Sequence, residues 1–247
     1  EIGRLGLSFN RMMDKIKTLT QYDPLTALLN QYVLEKEIHS LTHMEQSQNF
    51  SMIMVAIDKL SHINDTYGYA MGDSVLCEVS NRIKSCITPN YQLYRYKGDE
   101  FIVLVKDGSD SEIKSMAQKI LSVLIESYHL KGKNIEIKIS IGIFYANEDT
   151  QAEEPLKSVT HALNYAKYLG SNQIQIYNPQ LHANLLGIRE LQAEIPRAIR
   201  EDQFFLVYQP IMDLETNKML GVEALIRWNH PKRGILYPDQ FIDLAEQ

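Results

Sequence analysis

The chain has 247 residues, enough for one or two domains, with 45% hydrophobic residues and a formal net charge of −6 at pH 7. That composition excludes disorder, and an acidic balance without a long Lys/Arg run argues against a nucleic-acid polymer as partner. Cys77 and Cys86 lack CxxC spacing and read as reduced thiols in a cytosolic compartment, and neither a membrane-length apolar run nor a signal peptide is evident.

Ile2, Leu5, Phe9, Met12, Ile16 and Leu19 fall on one seam of a helix at heptad spacing. Such a seam pairs with a second copy in a parallel coiled coil, or packs on its own domain. The sequence starts at Glu1 without a Met and stops at Gln247, each inside a helical pattern, so both ends read as cuts in a longer protein.

Asp23-Pro24 breaks that helix and opens a new domain, with Asp23 placed to cap the next helical segment. A helix is expected over about 31–46, a strand in FSMIMVAID, helices over 61–68 and 71–87, and a hairpin of YQLYRY and EFIVLV. A helix over 111–127, a strand over 135–146, a helix over 155–169 and the short strand QIQIY complete a mixed α/β pattern.

After Asn178-Pro179 a second helical stretch carries Leu185, Ile188, Leu191, Ile195 and Ile199, and Pro196 is expected to kink or divide it. Two strand-like runs, FFLVYQPIMD and MLGVEALIRW, come next, and Pro238 opens a last helix. His39 and His43 sit four apart, but without a third ligand they read as a solvated helix face.

The chemistry is concentrated in YRYKGDEF, residues 94–101, where a turn Gly precedes two carboxylates. Its companions are DPLTALLN at 23–30, INDTYGYAMGD at 63–73, SIG at 140–142 and ALNYAKYLGSN at 162–172. In this order the five motifs resemble the GGDEF family over about residues 20–177. VYQPI, GVEALIRWNHP and ILYPDQFIDLAE further on resemble the start of an EAL domain, and EIGRLGLSFNRMMDKI resembles the end of a HAMP domain.

The resemblance implies an α/β (α+β) fold: a central, mainly antiparallel sheet flanked by helices, an N-terminal signalling helix, and the first strands of a TIM-type EAL barrel. The implied domains are 1–19, a HAMP-end coiled coil; 20–177, a degenerate GGDEF domain; 178–185, a linker; and 186–247, the beginning of an EAL domain. The family joins two GTP molecules into cyclic di-GMP across a homodimer. That reaction calls on Mg²⁺ or Mn²⁺ to neutralise the triphosphate and on carboxylates to hold the ion.

Aligned on INDTYG, the family's strand-end metal Asp falls at Ala56, which has no donor, while Asp99 and Glu100 remain as turn acids. Asp58, two residues along the strand, shares the face of Ala56 and is a partial substitute. Lys97 replaces the first turn Gly, leaving KGDEF with Gly98. If that position requires φ > 0, the exchange costs about 1–2 kcal/mol. The Lys97 side chain either obstructs the nucleotide or meets a phosphate.

Two phosphate-contacting cations of the family fall at Ser61 and Ser171, whereas Lys167 persists. Asn64 and Asp73 match the family's guanine contacts, and helix capping and turn formation are the alternative for both. TPNY at 88–91 stands where an inhibitory RxxD motif would begin, so product feedback through that site is not expected. In the EAL segment the match makes Glu223 a metal ligand near the end of its strand, Arg227 a phosphate partner and Gln209 part of the substrate cleft. The other ligands of that site are missing from the segment.

These substitutions favour a GGDEF-like domain without cyclase activity, a regulatory module with GTP as candidate ligand for an EAL phosphodiesterase domain that acts on cyclic di-GMP. The alternatives are an active diguanylate cyclase in which Asp58 and Asp99 share the metal, and a dimerisation adaptor that binds no nucleotide. The expected setting is the cytoplasmic portion of a bacterial signalling protein anchored in the inner membrane through segments outside this sequence.

Overall fold

The computed structural model describes residues 20–43, 49–146, 154–214 and 216–245. The heptad seam from Ile2 to Leu19 lies outside the described residues. Two compact units divide the chain after Leu181.

The first unit is organised by the strand β2, Phe50–Asp58, whose first eight residues are all buried. An apolar run without alternation is what a strand covered on both faces requires. Its side chains nonetheless alternate in destination. Ile53, Val55 and Ile57 enter one core layer, while Met52, Met54 and Ala56 enter the other.

Around β2 a six-stranded sheet assembles from β1 (Leu29–Asn30), β3 (Gln92–Lys97), β4 (Glu100–Lys106), β7 (Lys138–Ala146) and β8 (Gln173–Ile176), in the order β1-β3-β4-β2-β7-β8. The three inner pairings are antiparallel and the two outer ones parallel, the mainly antiparallel sheet expected. The helices α3 (Tyr69–Cys86) and α4 (Asp110–Leu124) supply the first core layer. The helices α1 (Gln31–Thr42) and α5 (Pro155–Tyr168) supply the second. A short helix α2, Leu60–Tyr67, links β2 to α3.

Local chemistry sets these boundaries. Asn30, not Asp23, caps α1 by accepting from the Val33 amide at 3.2 Å. Asp23 instead closes a turn through Thr26 and holds no helix end. Ser109 and Glu112 form a reciprocal capping box on α4, and Pro155 sits in the first turn of α5. On Gly142 a β-carbon would lie 2.5 Å from the Leu163 backbone nitrogen, so that glycine lets α5 lie close on β7.

One hairpin was not expected. Strands β5 (Tyr128–Leu130) and β6 (Lys133–Ile135) are joined by Lys131 and Gly132, both at positive φ, and β7 starts only at Lys138. Arg82 braces this corner. It donates to the Val123, Glu126 and Ser127 carbonyls at 2.8–3.0 Å and lies 3.7 Å over the Tyr128 ring.

The stretch 178–185, expected as a linker, is helical: α6 runs from Pro179 to Arg200 without division at Pro196. The ring removes one amide donor, but Leu191, Ile195 and Ala198 are buried along the same helix and hold its two sides together.

In the second unit β9 (Phe204–Met212), β10 (Met219–His230) and β11 (Gly234–Leu236) form an antiparallel sheet with β10 in the middle. That ladder differs from the parallel strands of a TIM-type barrel. A short helical turn at Pro238–Gln240 leads into α7, Ile242–Ala245. Fully buried Trp228 centres this unit, with Phe204 and Phe241 at ring distances of 5.2 and 5.7 Å and its indole NH donating to Gln203 at 2.9 Å. Among the described residues no helix is long and apolar enough to cross a membrane.

Candidate functional site

One end of the six-stranded sheet gathers the motif residues. The C-terminus of β2, the N-termini of β4, β7 and β8, the start of α2 and the end of α5 all lie there, as their pairing registers require. Ala56 is opposite Glu100 on one side and opposite Ser140 on the other, so these three side chains share one face.

The turn between β3 and β4 is built on Gly98, at φ +49°. Lys97 ends β3 and is not among the positive-φ residues, so the strain expected of it is absent: the left-handed position falls on Gly98, where glycine is retained. A β-carbon there would meet nothing within 4 Å, which leaves the turn backbone open to a ligand. The Ile57 amide donates to the Asp99 carbonyl at 3.3 Å and ties the turn to β2. Arg95 donates to the Gly98 carbonyl at 2.8 Å and to Asp23 Oδ1 at 2.9 Å.

Lys97 is exposed, its ammonium 4.8 Å from the Tyr96 ring centroid. Lys167, from the last turn of α5, stands 4.0 Å from Glu100 Oε1. Burial pushes the Glu100 carboxyl above its ordinary range, Lys167 opposes that shift, Asp99 adds to it and Lys97 opposes it. Asp58 does lie on the Ala56 face, where its Oδ2 accepts from the Ser140 hydroxyl at 2.9 Å.

Asn64 and Asp73 lie on α2 and α3. Neither caps a helix: the caps are Lys59 and Gly68, without side-chain cap bonds, so the capping alternative fails for both. Asp73 is exposed. Asn64 rests against Gly72, where an added β-carbon would come within 1.9 Å of Asn64 Oδ1. Gly72 was not singled out from the sequence, although it stands inside the motif INDTYGYAMGD. Ser61 is exposed and Ser171 half-buried.

In the second unit Gln209 and Glu223 are directly paired across β9 and β10. Glu223 is the fifth residue of a twelve-residue strand, in its middle and not close to its end as expected. Arg227, four residues on, shares the Glu223 face, and its guanidinium lies 4.7 Å over the Tyr237 ring. Among the described residues no cluster of three or more His, Cys, Asp or Glu side chains is placed to hold a metal ion, His39 and His43 included. Those two rings stack at 4.0 Å on the exposed face of α1.

The chain is similar to known proteins in sequence and in fold. The family described as diguanylate cyclase, GGDEF domain, matches residues 20–173, and the EAL domain family matches residues 192–247. Domains of both families are generally metal-dependent. The cyclic di-GMP phosphodiesterase NbdA of Pseudomonas aeruginosa is 33% identical over 236 residues, 94% of this chain and 30% of that protein. The bifunctional diguanylate cyclase/cyclic di-GMP phosphodiesterase MucR of the same organism is 28% identical over 246 residues, 98% of this chain and 36% of that protein. The chain therefore spans about a third of the length of these curated relatives. Among solved structures, the coiled coil and GGDEF domain of DgcB from Caulobacter crescentus, in complex with c-di-GMP, superposes with a TM-score of 0.63. It is 20% identical and covers 70% of this chain and 97% of that one, a likeness of fold.

Proposed function

The chain belongs to the family of GGDEF diguanylate-cyclase domains, and from that premise we propose that its GGDEF domain is a regulatory module that no longer joins GTP into cyclic di-GMP. The observation that carries this is Ala56, set between Glu100 and Ser140 at the sheet end. A methyl group occupies the place from which a carboxylate would reach a metal ion.

The remaining donors fit the ion poorly: Asp58 accepts from Ser140 and lies two residues beyond the strand-end position, and Glu100 is faced by the Lys167 ammonium. Only Asp99 is left of the metal-binding carboxylates that the motif would supply. Without the ion, two triphosphates brought together repel each other, and the attack of a 3′ hydroxyl on an α-phosphorus loses its main source of charge stabilisation.

Guanine recognition is proposed to persist, with Asn64 and Asp73 as base contacts and the open backbone at Gly98 as the place of closest approach. The whole protein is proposed to act in cyclic di-GMP signalling, its EAL domain hydrolysing cyclic di-GMP and the GGDEF domain modulating that output, with pairing through the N-terminal helix. Gln209, Glu223 and Arg227 on one sheet face are what the described residues contribute to an EAL site. Incubating the chain with GTP and Mg²⁺ or Mn²⁺ tests the loss of cyclase activity, and calorimetry with GTP separates a nucleotide-binding module from a bare adaptor.

A further inference from the structure

We propose that the sheet-end site binds the phosphates of a guanine nucleotide without a divalent metal ion, Lys97 and Lys167 supplying the counter-charge from the turn and from α5. The proposal rests on the reading of the domain as a guanine-nucleotide module and concerns how that module meets the phosphates.

The charge arrangement favours an anion over a cation. Lys97 lies beside the open Gly98 backbone, and Lys167 projects to Glu100 from the other side. Lys97 is the ladder partner of Glu100 across the β3–β4 turn and Lys167 stands 4.0 Å from Glu100 Oε1, so both lysines belong to the same small region. Lys138, paired with Asp58, and Lys59, at the start of α2, add two more exposed amines at this end of the sheet. Against four lysines stand three carboxylates, Asp58, Asp99 and Glu100, which leaves an excess of one positive charge among these groups.

A divalent cation entering here would lack the strand-end carboxylate and would meet Asp58, Asp99 and Glu100 with four lysines beside them. A polyphosphate would meet the same groups as partners, and Lys readily serves as a point charge for phosphate. Ser61 and Ser171 add no charge, so the contact is expected to be weak and sensitive to salt.

The test is calorimetric titration of the chain with GTP at low salt, once in EDTA and once in Mg²⁺. The two affinities are expected to differ by less than about threefold, and Lys97→Met and Lys167→Met each to weaken binding by up to about tenfold in EDTA. Binding that requires Mg²⁺, or binding in EDTA that neither substitution weakens, overturns the proposal and leaves the nucleotide module standing. No binding in either buffer overturns both.

Discussion

Arg95 and Asp23 form a half-buried ion pair at 2.9 Å, and the same guanidinium donates to the carbonyl of Gly98. One side chain thus fastens the segment that opens the domain to the turn that carries its acidic residues.

The pair makes a stability prediction with a definite pH sign. Burial alone would raise the Asp23 carboxyl, but hydrogen bonds from Thr26 and Arg95 prevail and hold it below the ordinary carboxylate range. A lowered folded-state value contributes stability above the unfolded value near ~3.9 and loses it as pH falls through the folded value. Asp23→Asn should therefore cost about 1–3 kcal/mol at pH 7 in urea unfolding. It should also flatten the acid limb of stability against pH.

Glu100 should respond in the opposite sense. Its carboxyl is raised by burial and held partly in check by Lys167. Removing that amine in Lys167→Met should push the Glu100 titration to still higher pH, read by NMR of the labelled carboxyl carbon. A group raised in the folded state favours folding below its unfolded value and loses that contribution as pH rises through the folded one. The variant should accordingly lose more stability on passing from acid to neutral pH than the parent chain. An unchanged Glu100 titration would mean that the 4.0 Å approach has no electrostatic weight.

Gly72 should prove a positioning residue for Asn64. Gly72→Ala gains about 0.5–1 kcal/mol of helix preference in α3, yet its β-carbon would come within 1.9 Å of Asn64 Oδ1 and must displace that amide. The expected result is weaker binding of GTP with little loss of thermal stability. An additional Asn64→Ala should remove the difference, since nothing then remains to be displaced.

In the second unit, Trp228→Ala should cost about 3–5 kcal/mol, the range for truncating a large buried aromatic. Limited proteolysis should then cut first within 204–236, whereas Trp228→Phe should retain most of the protection. Equal resistance of Trp228→Ala and the parent chain would show that the aromatic cluster around Phe204 and Phe241 does not hold this unit.

Much of the first unit was legible because its signals are local. FSMIMVAID reads as a strand from its short apolar run, and the KGDEF turn declares its hairpin. The β5–β6 hairpin was missed although Lys131-Gly132 is a two-residue turn of the positive-φ kind, because the run from Ile135 reads as one continuous strand.

The site divides in the same way. The exchange at Ala56 is visible in the sequence, but its consequence is not. That Ser140 takes Asp58 and Lys167 faces Glu100 depends on strands and helices more than sixty residues apart in the chain. Strain at Lys97 hinged on a positive φ at that position, and the backbone places the positive φ one residue later, at Gly98. Glu223 was expected near the end of its strand, whereas it stands fifth among the twelve residues of β10.

Chromatographic detection of cyclic di-GMP after incubating the chain with GTP and Mg²⁺ or Mn²⁺ tests the central claim most directly, with an active diguanylate cyclase as positive control. With Ala56 at the sheet end, the chain should yield no product above the protein-free blank with either ion. Sustained formation of cyclic di-GMP, abolished by Asp99→Ala, would contradict the account.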